Sequence, residues 1–373
     1  MKIPVVLIQS RVANDSTAEP VFRATQWRAI DISEESIEDT ATTIKWDITK
    51  AINAKTVIDW KPAESILDFK KFILAVSQRQ GQGAMKNAIW LSNRALDGSD
   101  YDAAQNALDV YKKTHKNTHD AKSEVSVVIQ DCRIARRRGT WDPNETETLI
   151  VGAFTGQSVE DNSPAWLEIA YSYLVGALKE WSIEGQSTDE AKTFVCKGLT
   201  YLNKWKSWKT NNGESNDCAF SDYSLYGQQV KLIICDGVTE GFVEEMNKTA
   251  EQLIVAVEKG GPGAAEATQS LWRHALIVGN KNDATRWMDK AWTIYGMPKN
   301  NLPKIWKDDR SPQNFAAAML WRSWTLKLLG KDGAKEIFDT AKIAIEGVIS
   351  YPEIASWMRV VTEHFPDLLG NRL

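Results

Sequence analysis

Apolar residues along most of this chain return every three or four positions. In residues 65–78, Ile66, Phe69, Ile73 and Val76 share one face, the period of an amphipathic helix. The same period predicts helices over 84–96, 102–115, 164–182, 189–208, 226–238 and 241–260. It continues over 264–280, 282–296, 311–330 and 332–349, and a last helix lies between Pro352 and Pro366. A further helix start falls at Asp31–Ser36, with Ser33 as cap and Glu34 and Glu35 at the positive end of the dipole. The 164–182 segment opens with Pro164 after Ser163 and is apolar nearly all round, which predicts a central helix. Residues 3–8 (IPVVLI) read as extended, and the polar stretch 9–25 with Pro20 reads as an arm. Alternating strand patterns are nearly absent.

Two interruptions organise the helices. Residues 209–221, with Asn211, Asn212 and Gly213, predict a loop, and residues 260–263 (GGPG) are the strongest breaker in the chain. The expectation is a mainly α protein of two helical lobes joined by a hinge near 240–263, with extended N- and C-terminal arms. Its divisions are 1–32 for the N-terminal arm, 33–243 and 244–350 for the lobes, and 351–373 for the C-terminal arm. The similar helix lengths raise a helical repeat, but no fixed period with recurring residues supports one.

Composition excludes some classes. The chain has 373 residues, 43% hydrophobic and 25% charged, enough apolar content for a sizeable core. Lys+Arg of 45 against Asp+Glu of 49 gives a net charge of -4, so any nucleic-acid site must be local. The four scattered cysteines, without CxxC spacing, predict free thiols in a reducing compartment. No signal-peptide pattern or membrane-spanning stretch is evident, so a soluble intracellular protein is expected. The 16 tryptophans are unusual beside 10 Phe and 9 Tyr. Most are expected to fill the core, Trp166, Trp181, Trp287 and Trp292 among them. Trp141, Trp205 and Trp208 stand beside cations and are candidates to touch a nucleic-acid base.

Enzyme signatures are poor. His115 and His119 have the i, i+4 spacing of a metal pair, but HExxH lacks its Glu and no third ligand is near. The glycine-rich breaker lacks the P-loop pattern, and no GxSxG occurs. Neither a catalytic residue, a metal nor a cofactor is predicted.

Two basic clusters remain. In 133-RIARRRGTW-141, Arg133, Arg136, Arg137 and Arg138 crowd a helix end closed by Gly139. Guanidinium forks match phosphate oxygens, so these four are candidate phosphate contacts. In 197-KGLTYLNKWKSWK-209, Lys197, Tyr201, Lys204, Trp205, Trp208 and Lys209 interleave charges with rings, the composition of a single-strand-binding surface. The same composition suits lysines snorkelling over buried tryptophans. Arg273 and Arg286 are second-lobe candidates.

The order of these features resembles the nucleoproteins of non-segmented negative-strand RNA viruses. It runs from an N-terminal arm through a lobe with the Arg133–Arg138 segment and a long apolar helix at 166–181 to a breaker. The segment 261-GPGAAEATQSLWRHALIVGN-280 then opens a second lobe, and a terminal arm closes the chain. A fungal mymonavirus would suit the short length. The resemblance implies a homo-oligomer that encapsidates single-stranded RNA without sequence specificity in a basic cleft between the two lobes, within the virion nucleocapsid and the host cytoplasm or nucleus. It implies RNA contacts from Arg133, Arg136, Arg137 and Arg138, with Arg273 and Arg286 in the second lobe, and a viral polymerase complex as partner. Arm exchange would use Ile3, Val5 and Leu7 at one end and Phe365, Leu368 and Leu369 at the other. No membrane is implied. The alternative is a helical scaffold or adaptor that binds proteins without nucleic acid.

Overall fold

A computed structural model describes residues 84–97, 101–114, 121–154, 163–184, 186–213, 218–235, 238–259, 264–294, 312–348 and 352–366. All regular structure among them is helical. In chain order the helices are α1 (Ala84–Asp97), α2 (Tyr101–Thr114), α3 (Ala121–Arg138), α4 (Pro143–Ala153), α5 (Ser163–Glu184), α6 (Asp189–Asn211) and α7 (Cys218–Ile234). They continue as α8 (Glu240–Lys259), α9 (Ala264–Ile277), α10 (Lys281–Ile294), α11 (Pro312–Leu328), α12 (Ala334–Val348) and α13 (Pro352–His364). The mainly α expectation holds. The helix expected at 65–78, the start at 31–36, the extended segment 3–8, the N-terminal arm and the pair His115/His119 all lie outside the described residues.

Local chemistry explains the boundaries. Asp142 caps α4 by accepting the Glu145 backbone N–H at 2.8 Å, with Pro143 in the first turn. Thr188 caps α6 through the Ala191 N–H at 3.0 Å, and Asp189 and Glu190 occupy the positive dipole end. The loop expected over 209–221 is shorter than predicted. The helix α6 runs on to Asn211, and α7 begins at Cys218 rather than near Tyr226.

The chain divides into two compact units. One comprises residues 1–96 and 102–123, the other 97–101 and 124–373. In the first, α1 buries Ala88, Leu91 and Leu96, and α2 buries Ala104, Leu108 and Tyr111. In the second, a single apolar core runs from Val125 to Val361. Its centre is α5, where Ile169, Ala170, Tyr173, Leu174, Val175 and Leu178 are all buried, as the all-round apolar pattern predicts. The helices α4, α6, α7 and α13 pack against α5. Packing with α6 is close: a Cβ on Gly198 would lie 2.9 Å from Leu174 Cγ and 3.2 Å from the Ala170 carbonyl oxygen.

The boundary expected at 243/244 does not coincide with the division between units. The helices on either side of residues 260–263, α8 and α9, pack on each other, and α7 packs on α9. Nor does 352–364 read as a detached arm in this chain, because α13 places Trp357, Val360 and Val361 in the core and Phe365 packs against it. Leu368 and Leu369 lie outside the described residues. Among the described residues, Trp272, Trp287, Trp321, Trp324 and Trp357 are the bulkiest fully buried side chains. The Trp272 indole N–H donates to Thr325 Oγ1 at 2.8 Å and ties α9 to α11.

Candidate nucleic-acid interface

The arginine cluster closes α3. Gly139 takes a left-handed φ of 84°, donates to the Arg136 carbonyl at 3.2 Å, and is followed by Thr140 donating to Ala135 at 3.0 Å. This Schellman ending lets a glycine stop the helix and leaves Arg136, Arg137 and Arg138 at its negative dipole end.

The side chains then diverge. Arg136 is 5% exposed and lies inside the second unit. Its Nε donates to Glu168 Oε1 at 2.9 Å and its Nη2 to Oε2 at 3.2 Å, with the guanidinium 4.4 Å above the Tyr171 ring. Arg133 donates from Nε to the same Oε2 at 3.2 Å and from Nη1 to Gln130 at 3.2 Å. Burial alone pushes the Glu168 carboxyl up, but Arg136 and Arg133 outweigh it and hold it below the usual carboxylate range. The expected phosphate role of Arg136 is therefore corrected: its fork is filled by a buried carboxylate. Arg133, Arg137 and Arg138 are half-buried.

Arg273 is corrected in the same way. It is buried, donates to Gln229 Oε1 at 2.6 Å and Ser270 Oγ at 3.3 Å, and stacks on Tyr226 and Trp357. Arg286 is exposed but pairs with Glu258 at 2.8 Å. Near them, burial pushes the His274 imidazole down to about 4, with Arg273 adding to the effect and Asp283 opposing it. Burial, with Glu168 adding to it, likewise pushes the Cys132 thiol up to about 12, which leaves it unreactive.

The second cluster is reorganised. Trp205 is turned into the core, stacked on Phe220 at 6.0 Å and edge-on to Tyr223, so it offers no face to a base. Trp141 is also buried, with the Lys179 ammonium 4.6 Å above its ring. Lys197, Tyr201, Lys204 and Trp208 share one face of α6 by their i, i+4, i+7, i+11 spacing. Lys209 and Trp208 are half-buried at the helix end.

On that face the rings form a ladder. Phe154 stacks on Trp166 at 6.2 Å, Trp166 on Tyr201 at 5.6 Å, and Tyr201 on Tyr173 at 6.3 Å. Lys204 sits 4.8 Å from the Trp166 centroid and 4.6 Å from that of Tyr201. It is exposed and has no carboxylate partner among the described residues. Ring faces hold the ammonium in place while leaving its charge unneutralised. Lys197 lies 4.8 Å from the Tyr173 centroid and is 2.9 Å from both Asn144 Oδ1 and the Tyr173 hydroxyl.

Glu147 of α4 completes the group. The Tyr201 hydroxyl donates to its Oε1 and the Tyr173 hydroxyl to its Oε2, and Lys197 Nζ lies 3.5 Å from Oε2. Burial raises the Glu147 carboxyl, but these three donors outweigh it and hold it below the usual range. Burial and the Glu147 carboxylate both push the two phenols up, so they remain donors. Sequence reasoning found Lys197, Tyr201 and Lys204 but missed Glu147, Asn144 and Tyr173. These come from two other helices, 24 to 54 positions away along the chain, and carry no local signal.

Among the described residues, no group of His, Cys, Asp or Glu could hold a metal ion, and no helix is long and apolar enough to cross a membrane. No family model, curated protein or solved structure matches the chain.

Proposed function

We propose that this protein is a nucleoprotein that coats single-stranded RNA without regard to sequence and assembles with copies of itself. One observation carries the reading: Lys204 is an exposed cation, seated on the Trp166 and Tyr201 rings and lacking a carboxylate partner among the described residues. A cation fixed in place but not neutralised suits a phosphate, and phosphates recur at every nucleotide whatever the base. The Trp166 and Tyr201 faces are taken up by each other and by Lys204, which favours backbone contact over base stacking. The proposed contact set therefore centres on Lys204, with Arg137 and Arg138 as further cations at the end of α3. Self-assembly is part of the proposal, by resemblance to the viral nucleoproteins.

The test is fluorescence anisotropy of a labelled single-stranded RNA of mixed sequence, titrated at several salt concentrations. Affinity falls steeply with salt, and Lys204→Ala binds more weakly with a shallower slope of log K against log salt, by about 0.7 for one lost phosphate contact. Undetectable binding at low salt, or binding indifferent to salt, would overturn the reading. If the purified chain is also monomeric by light scattering and free of nucleic acid by its absorbance ratio, the adaptor reading takes its place.

A further inference from the structure

The Glu147 carboxylate is held by three donors from two other helices: the Tyr173 and Tyr201 hydroxyls and the Lys197 ammonium. Convergent O–H and N–H donors around one planar anion form an anion receptor. Here the receptor is built into the α5–α6 pair. Tyr173 is fully buried, its ring is stacked on Tyr201, and Lys197 is steadied by Asn144 and by the Tyr173 ring. The occupant is different in kind. Glu147 belongs to α4, a short helix, and its side chain is 28% exposed while that of Lys197 is 42% exposed. Both side chains are thus partly open to solvent.

We propose that the Tyr173–Tyr201–Lys197 group is an anion-binding position for a phosphate or phosphodiester, occupied in this state by Glu147 as a tethered competitor. The inference rests on the RNA-coating reading only for the source of the phosphate. Two positions then lie along one face of α6, Lys204 open and Lys197 closed by Glu147. Seven residues at 1.5 Å each put them roughly 10 Å apart along the helix axis. Emptying the closed position would give RNA a second phosphate contact, so Glu147 limits affinity for the polyanion.

The experiment uses the full chain and four variants: Glu147→Gln, Glu147→Ala, the double variant Glu147→Ala with Lys197→Ala, and Glu145→Gln. The last removes one charge from an exposed position of the same helix. Two readouts are taken, binding of inorganic phosphate by calorimetry and binding of single-stranded RNA by anisotropy against salt. Circular dichroism checks folding, and Glu147→Gln keeps a hydrogen-bonding side chain should the alanine variant fail to fold. Glu147→Ala and Glu147→Gln gain phosphate binding that the parent lacks, and their RNA salt slope steepens by about 0.7. Glu145→Gln does not reproduce the gain, and Lys197→Ala abolishes it. A gain shared by Glu145→Gln, a gain that survives Lys197→Ala, or no gain in folded variants would overturn the proposal. Phosphate binding by Glu147→Ala with no RNA binding by any form would uphold the anion position and sink the RNA reading instead.

Discussion

Arg136 illustrates how a side chain's partner, rather than its type, decides what it does. A guanidinium on a helix end is a phosphate candidate until a carboxylate is found in its fork. Glu168 is such a carboxylate, buried on the central helix and shared with Arg133. Removing Arg136 leaves the buried carboxylate with only the half-buried Arg133 as a charged partner, so Arg136→Ala is expected to lower stability by about 3 kcal/mol in denaturant melts. Any RNA release by an Arg136→Ala/Arg137→Ala double variant would then report unfolding as well as lost contacts. Three groups shape the pH dependence on the acid side: His274, Glu168 and Glu147, the last held low in the folded chain as Glu168 is. His274 has its folded value lowered from 6.5 to about 4. The unfolded chain therefore binds the proton first, and stability falls as pH drops from about 6.5 towards 4. The loss is on the order of 3 kcal/mol. Glu168 is held low in the folded chain, so its contribution is present above about pH 4.3 and is lost as pH falls through its folded value. Melts between pH 7 and 4 should show the first fall, and His274→Gln should flatten it.

The helices follow their local rules with few exceptions. The capping of α4 by Asp142 and of α6 by Thr188 could be written down from residue types alone, although α4 itself carries too short and mixed a pattern to be recognised. What periodicity does not reveal is how closely two helices approach. Gly198 lies where α6 meets α5, and a methyl group there would press on Leu174 and on the Ala170 carbonyl oxygen, a backbone atom that cannot rotate away. Gly198→Ala is therefore expected to cost about 1–3 kcal/mol despite its better helix propensity, measured as a drop in melting temperature. Because Lys197 and Lys204 flank this contact on the same helix, the variant is also expected to weaken any ligand held on that face.

The division of the chain depends on packing across long separations. A Gly-Gly-Pro-Gly breaker marks a place where a helix must stop, and two lobes were a reasonable expectation from it. Yet α7 packs on α9 and α5 packs on α13, so the helices before and after residue 243 share one core. A fragment beginning at Glu124 and ending at Leu373 is expected to melt in a single cooperative transition, followed by circular dichroism. A chain cut between residues 243 and 244 is expected to yield two pieces that each expose core surface and lose that transition. Independent cooperative melting of both pieces would restore the two-lobe division.

Helical character, the central place of α5 and the crowding of arginines at Gly139 are legible in residue order, because each depends on neighbours within one or two turns. The burial of Arg136, Arg273 and Trp205 is not, since their partners Glu168, Gln229 and Phe220 lie on other helices. Nor is the group around Glu147, whose donors come from two other helices. Composition named the ingredients of a cationic, aromatic surface. Only the packing of α4, α5 and α6 decided which cation stays open and which is already held by a carboxylate. Charges and rings act over a few ångströms in space, a distance that spacing along the chain does not measure.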